Sequence, residues 1–239
     1  LTHMFIKILE DVLCEEAYLA DMAGLQYSIH KDGHQGIDFR IEGFHEKLVD
    51  LISLVFSHFS NLEYTVEDFN RIKEVVQRHY ANVLLKPTKH ASFLRLHTLR
   101  HHDADPRDIL EEVKTIEMDD MKRFEEALTS KGHLTSLIIG NCTEQHALEL
   151  SRISMSSIGF SVFDRIPCCD VLKVRSDVLR REIAINPLEE NSCVEYYVQF
   201  DSALSARNRA LLDLIDQLIY EPCYNILRTQ KQLGYMVSS

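Results

Sequence analysis

The chain has 239 residues, 45% hydrophobic and 26% charged, the balance of a globular protein with length for one large domain or two ordinary ones. Its net charge of −11 argues against nucleic acid and anionic membrane as primary partners, since both reward basic patches, and no apolar run is long enough to span a bilayer. Six cysteines, at 14, 142, 168, 169, 193 and 223, show no framework spacing, so free thiols in a reducing, cytoplasmic compartment are expected.

The periodicity predicts a first amphipathic helix over 4–22. Strands follow at 25–29 and 37–41, where Ile37, Phe39 and Ile41 alternate with Asp38, Arg40 and Glu42. The loop between them, with His30 and His34, reads as a hairpin. Helix is predicted at 46–59, with Leu48, Leu51, Ile52, Val55, Phe56 and Phe59 on one face. Thr65 and Asp68 look like a cap for a long helix over 66–84, which Pro87 ends. Helices follow at 88–102, from Asp105-Pro106, and at 119–129. A strand is expected at 134–139, ending in Gly140-Asn141, then a short helix capped by Thr143 and reaching 151. The serine-rich stretch 151–169 reads as a linker. Beyond it come strands at 178–185 and 192–200, a turn at 201–205, and a helix from 206. Hairpins and helix pairs, rather than regular βαβ alternation, indicate an α+β fold: a mixed or antiparallel sheet with helices packed on one face.

The two ends of the chain resemble each other. Residues 5–18 align with 211–224 without a gap, and apolar positions 5, 6, 8, 9, 12 and 13 fall on 211, 212, 214, 215, 218 and 219. Both copies end in Glu-x-x-Tyr, at Tyr18 and Tyr224, and with a little slack Tyr27 then falls beside Tyr235. A duplication follows, with strands before the second copy that the first lacks. The chain is therefore expected to begin inside one unit and end inside the next, as a fragment of a longer polypeptide.

Twelve histidines invite a metal reading. His97 and His101 are spaced to share a helix face, with His102, Asp103 and Asp105 close behind. A polar helix end with solvated imidazoles is the plainer reading, because no motif links the cluster to a catalytic carboxylate. Neither His-Glu-x-x-His nor the inverted His-x-x-Glu-His occurs, nor a nucleophile elbow, P-loop or dinucleotide fingerprint. Cys14 and Cys223 read as packing residues. The one suggestive arrangement is terminal. A helix running to about Gln232, stopping at Gly234 and entering a strand at Tyr235 would hold Arg228 and Tyr235 on either side of a turn, where their donors could grip a developing oxyanion.

That terminal stretch, Glu221-Pro-Cys-Tyr-Asn-Ile-Leu-Arg-Thr-Gln-Lys-Gln-Leu-Gly-Tyr235, closely resembles the signature of the insulysin and nardilysin branch of the pitrilysin-type zinc metallopeptidases. Upstream, Glu15-Glu-Ala-Tyr-Leu-Ala-Asp-Met-Ala-Gly-Leu-Gln-Tyr27, Ile41-Glu-Gly-Phe44, Lys86-Pro87 and Gly140-Asn141 are similar to landmarks of that family's third homologous unit, and the run 86–96 leans toward nardilysin-like members. The resemblance implies that residues 1–165 are most of a third unit and 166–239 the start of a fourth. It implies hydrolysis of peptide bonds in short polypeptides, with zinc held in an N-terminal half whose ligands are not in this chain. That half and peptide substrates are the implied partners, and a homodimer is compatible with it. By the same resemblance Arg228 and Tyr235 contact substrate backbone and stabilise the tetrahedral intermediate. Tyr224 lines the pocket beyond the scissile bond, where the family often has phenylalanine. Tyr27 has no matching arginine and is given no catalytic role. A second reading, a non-catalytic interaction or assembly module of the same fold, stays open; retention of both Arg228 and Tyr235 favours the first.

Overall fold

The computed structural model describes residues 1–32, 36–100, 104–162, 172–200 and 205–238. His34, His101, His102, Asp103, Cys168, Cys169, the expected unit boundary at 165–166 and most of the expected turn at 201–205 lie outside the described residues. Two compact units are present, Leu1–Glu195 and Tyr196–Ser239.

The larger unit is built on helix α1 (Thr2–Met22), which buries Met4, Phe5, Ile8, Leu9, Leu13 and Ala17. Two strands follow, β1 (Gln26–Asp32) and β2 (Gly36–Glu42), paired antiparallel with Tyr27 opposite Ile41 and Ile29 opposite Phe39. This register gathers Tyr27, Ile29, Ile37, Phe39 and Ile41 on one face, and that face meets the core. Gln26, Ser28, Arg40 and Glu42 take the other. The entry to β1 and the exit from β2 pass so closely that a Cβ on Gly43 would lie 2.4 Å from Leu25 Cδ2 and 2.9 Å from Leu25 Cα. With φ at +149° as well, only glycine suits the position.

Helix α2 (His45–Ser60) brings Phe56 and Phe59 to Phe39, with ring centroids 5.0 and 5.4 Å apart, and Phe59 sits edge-on to Phe5 at 5.3 Å. Helix α3 (Val66–Asn82) starts with a complete capping box between Thr65 and Asp68. Its Arg71 reaches both Asp11, at 2.9 and 2.5 Å, and Asp68, at 2.9 Å, which ties α3 to α1. These hydrogen bonds hold Asp11 below the usual carboxylate range, while Thr65 and then Arg71 bring Asp68 to about 2. At the other end of α3, Tyr80 hydroxyl lies 3.2 Å from His3 Nδ1, and burial with the neighbouring His79 lowers His3 to about 4.

Helices α4 (Pro87–Leu99), α5 (Pro106–Thr115) and α6 (Met118–Ser130) complete the first layer. Asp105 caps α5 by accepting from Arg107 N–H at 2.8 Å, and Glu117 and Asp120 form a capping box on α6. Two residues after α6, β3 (Lys131–Gly132), pair parallel with β4 (Ser161–Val162). Between them α7 (Glu144–Ile158) packs on α2, where Ser60 hydroxyl donates to Ser157 carbonyl at 2.7 Å. The fold is therefore α+β, with helices covering one face of the antiparallel β1–β2 sheet and a second, parallel two-stranded sheet at β3 and β4.

Several expected elements differ. The serine-rich stretch from 151 continues α7 to Ile158 instead of opening a linker. Leu150, Ser154 and Ile158 are buried at helical spacing, and Ser154 returns its hydroxyl to Leu150 carbonyl at 2.9 Å. Gly159, left-handed at φ 71°, stops the helix. The expected strands at 134–139, 178–185 and 192–200 are not strands, because none has a backbone ladder among the described residues. Their apolar faces stay open, with Leu179 96% and Ile183 92% exposed. The segment from 172 to 195 lies along α4 instead. Leu172 N–H donates to Leu99 carbonyl at 2.7 Å, Arg95 meets Glu195 at 2.6 Å, and buried His90 faces Glu182 at 3.6 Å. Among the described residues, Cys14, Cys142, Cys193 and Cys223 are unpaired thiols, and no helix is long and apolar enough to cross a membrane.

Two stability measurements test this packing. Phe5 is fully buried against Phe59, so Phe5→Ala should destabilise the protein by about 3–5 kcal/mol in urea unfolding. Tyr64 donates to Glu125 at 2.6 Å, half-buried on α6, and burial raises Glu125 while this hydrogen bond opposes the rise. A raised carboxyl contributes stability below its ordinary range and loses it as pH climbs through the raised value. Tyr64→Phe removes the group that offsets this loss. Its cost, about 1–2 kcal/mol after allowance for partial solvent screening, should therefore be larger at pH 7 than at pH 4.

Candidate functional site

The smaller unit is dominated by helix α8 (Ala206–Tyr224), capped by Ser205, whose hydroxyl accepts from Asn208 N–H at 3.2 Å. Pro222, inside its last turn, has no N–H to donate. The helix then widens into a π-helical segment over Asn225–Gln230, which carries Arg228. The widening closes by two long-reach bonds: Lys231 N–H to Ile226 carbonyl at 2.9 Å and Leu233 N–H to Leu227 carbonyl at 3.0 Å. Between these donors Gln232 adopts φ 51°, the one left-handed non-glycine among the described residues. The expected exit at Gly234 is thus corrected: the chain reverses at Gln232. Tyr235 does not enter a strand, because its backbone has no ladder partner among the described residues.

This turn brings the terminal candidates together. The Arg228 guanidinium carbon stands 4.8 Å from the centroid of the Tyr235 ring, within cation–π range. Tyr224 and Arg228 lie one helical turn apart, and with Thr229 and Gln232 they line an open groove of about 410 Å³. No carboxylate pairs with Arg228 among the described residues. The ring contact uses no hydrogen-bond acceptor, so it does not occupy the fork of N–H donors. Tyr235 is 84% exposed, and Tyr224 is also accessible. Thr229 and Gln232 are the wall residues that sequence reasoning missed. Polar side chains at a helix end carry no signal of their own, and only the left-handed backbone marks Gln232.

The other sequence candidates do not converge. Tyr27 sits in β1 opposite Ile41, half-buried, and burial raises its hydroxyl. His30 is paired across the hairpin with Asp38. His97, on α4, packs its ring 5.3 Å from Phe93, and Asp105 is taken by Arg107, whose hydrogen bonds lower it. Among the described residues no three His, Cys, Asp or Glu side chains are grouped to hold a metal ion.

Comparison with known proteins identifies the family. The model of the middle or third domain of peptidase M16 matches residues 1–112, and that of the peptidase M16 inactive domain matches 115–239. The chain belongs to the M16 peptidase family. A nardilysin-like protein of Arabidopsis thaliana is 32% identical over 246 residues, covering 99% of this chain and 24% of that protein. Human insulin-degrading enzyme is 29% identical over 253 residues, covering 100% of this chain and 24% of the enzyme. The crystal structure of pitrilysin superposes with a TM-score of 0.71 at 16% identity, over 99% of this chain and 25% of pitrilysin, and shows the shared fold. The M16 chain thus spans about a quarter of the length of these relatives. The division between the two family domains is not a packing boundary: Met121, Leu150 and Ile158, from the second, share one core with α1.

Proposed function

We propose that this chain belongs to the C-terminal, substrate-enclosing half of a zinc metalloendopeptidase acting on short polypeptides, and that it supplies donors rather than the metal. Among the described residues no group of side chains fits zinc. The observation that carries the reading is the approach of Arg228 and Tyr235 beside the groove that Tyr224 lines. A hydrolysed peptide bond passes through a tetrahedral oxyanion. A permanent cation with several N–H donors, held against an aromatic ring, is suited to meet that charge as it develops. The Tyr235 hydroxyl adds a second donor on a rigid arm. Tyr224 presents a ring and a hydroxyl to the residue beyond the scissile bond, so the groove is more polar than a phenylalanine would make it.

The insulin-degrading activity for which the human relative is named supports the substrate class. The description of the matching C-terminal domain as inactive favours a second reading, a non-catalytic interaction module. The two are separated on the full-length protein by metal content together with chelator-sensitive cleavage of a quenched fluorescent peptide. The peptidase reading expects both. Arg228→Ala and Tyr235→Phe should then each lower kcat by about 10²–10³-fold. Stability should change little, because Tyr235 is exposed and neither residue is in the core. Wild-type turnover in both variants would remove the assignment; no metal and no cleavage would establish the module.

A further inference from the structure

We infer that Gln232 is the positioning residue of the Arg228–Tyr235 pair, and that it acts through its backbone. The inference rests on the functional reading above for its consequence in turnover, but not for its geometry. Helix α8 and its π-helical extension carry Arg228 along the helix axis, and a chain continuing in that direction would move Tyr235 away from it. The chain instead folds back. Lys231 N–H still reaches into the helix at Ile226 carbonyl, and Leu233 N–H reaches it again at Leu227 carbonyl. The residue between those donors must reverse the backbone, and Gln232 does so at φ 51°. Tyr235 follows and meets the Arg228 guanidinium at 4.8 Å.

A left-handed residue is disfavoured for any side chain with a Cβ. It is free for glycine, tolerated by asparagine, harder for alanine and worst for a β-branched residue. Glycine is near, at Gly234, yet the left-handed conformation falls on Gln232 and not on it. The site therefore holds a conformation that its own residue does not prefer. The hydrogen bonds on both sides of Gln232 keep it there.

The test uses the full-length protein with 3-fluorotyrosine placed at position 235 and Gln232 changed to Gly, Asn, Ala or Val. Fluorine NMR reports the ring environment whether or not the protein cleaves anything, and Arg228→Ala gives the reference signal of an unstacked ring. Gln232→Gly and Gln232→Asn should keep the stacked signal. Gln232→Val should move it toward the Arg228→Ala signal, with Gln232→Ala between. In a protein that cleaves peptide, Gln232→Val should also lower kcat by about tenfold or more against wild type, with KM changed less. If Gln232→Val does not fold, the Gly, Asn and Ala order decides. A signal in Gln232→Gly that moves to the Arg228→Ala position would overturn the inference, since it would make the side chain, and not the backbone, the part that positions the ring. Equal signals in all variants would overturn it as well. The expected order of signals in a protein without peptidase activity would support the positioning role and refute the functional reading alone.

Discussion

One face of α1 governs the larger unit. Phe5, Leu9 and Leu13 are wholly removed from water, and around them lie β1, α2 and α3. Each such side chain contributes about 1.5–3 kcal/mol of burial, far more than an exposed ion pair on the rim. The Arg71 clamp on Asp11 and Asp68 therefore ties α3 to α1 at the rim, and the apolar face supplies the stability. The constraint also explains Gly43. To lay the hairpin flat against α1, the chain must leave β2 in contact with its own entry to β1, and only a residue without a Cβ leaves room.

The repeat between residues 5–18 and 211–224 separates two kinds of information. Both segments are helical. In α1 the apolar stripe is buried; in α8 Leu211, Leu214, Ile215, Leu218 and Ile219 are all exposed. A period of apolar residues specifies a helix and the face it would bury, and nothing in the period supplies the cover. The same distinction accounts for the strands. Tyr27, Ile29, Phe39 and Ile41 alternate and find each other across a hairpin, because the partner is a few residues away. Residues 178–185 and 192–200 alternate as well, but among the described residues they have no ladder, since alternation fixes a propensity and a ladder needs a second strand. Helices carry their hydrogen bonds within themselves, and their caps at Thr65, Asp105 and Thr143 stand in the sequence where the structure uses them.

At the candidate site, which residues come together is legible in the sequence and the backbone that joins them is not. The terminal motif names Tyr224, Arg228 and Tyr235, and the structure brings all three to one helix end. The route between them is not legible. A helix stop at Gly234 is what the sequence suggests, because glycine alone is free of the left-handed penalty. The reversal falls on Gln232, because the π-helical widening shifts the points at which Lys231 and Leu233 can bond back. Neither the widening nor the left-handed glutamine has a compositional signal; both arise from how the last carbonyls of the helix are satisfied.

The origin of those bonds bears on what kind of site this is. The smaller unit buries none of the α8 or π-helical residues, so long-range packing does not fix Arg228 against Tyr235. A pair held by two distant elements would inherit every slippage between them. Here both residues belong to one helix end, and the bonds that join them span only the chain between Ile226 and Leu233. A cation–π contact at an exposed position contributes only about 0.5–1 kcal/mol, too little to order a free loop. It suffices where the backbone has already been turned back by main-chain hydrogen bonds. The donor geometry is thus encoded locally, in a segment whose helix is otherwise open to solvent. For an oxyanion site this is an advantage, since preorganised donors lose least when their positions are set before the substrate arrives.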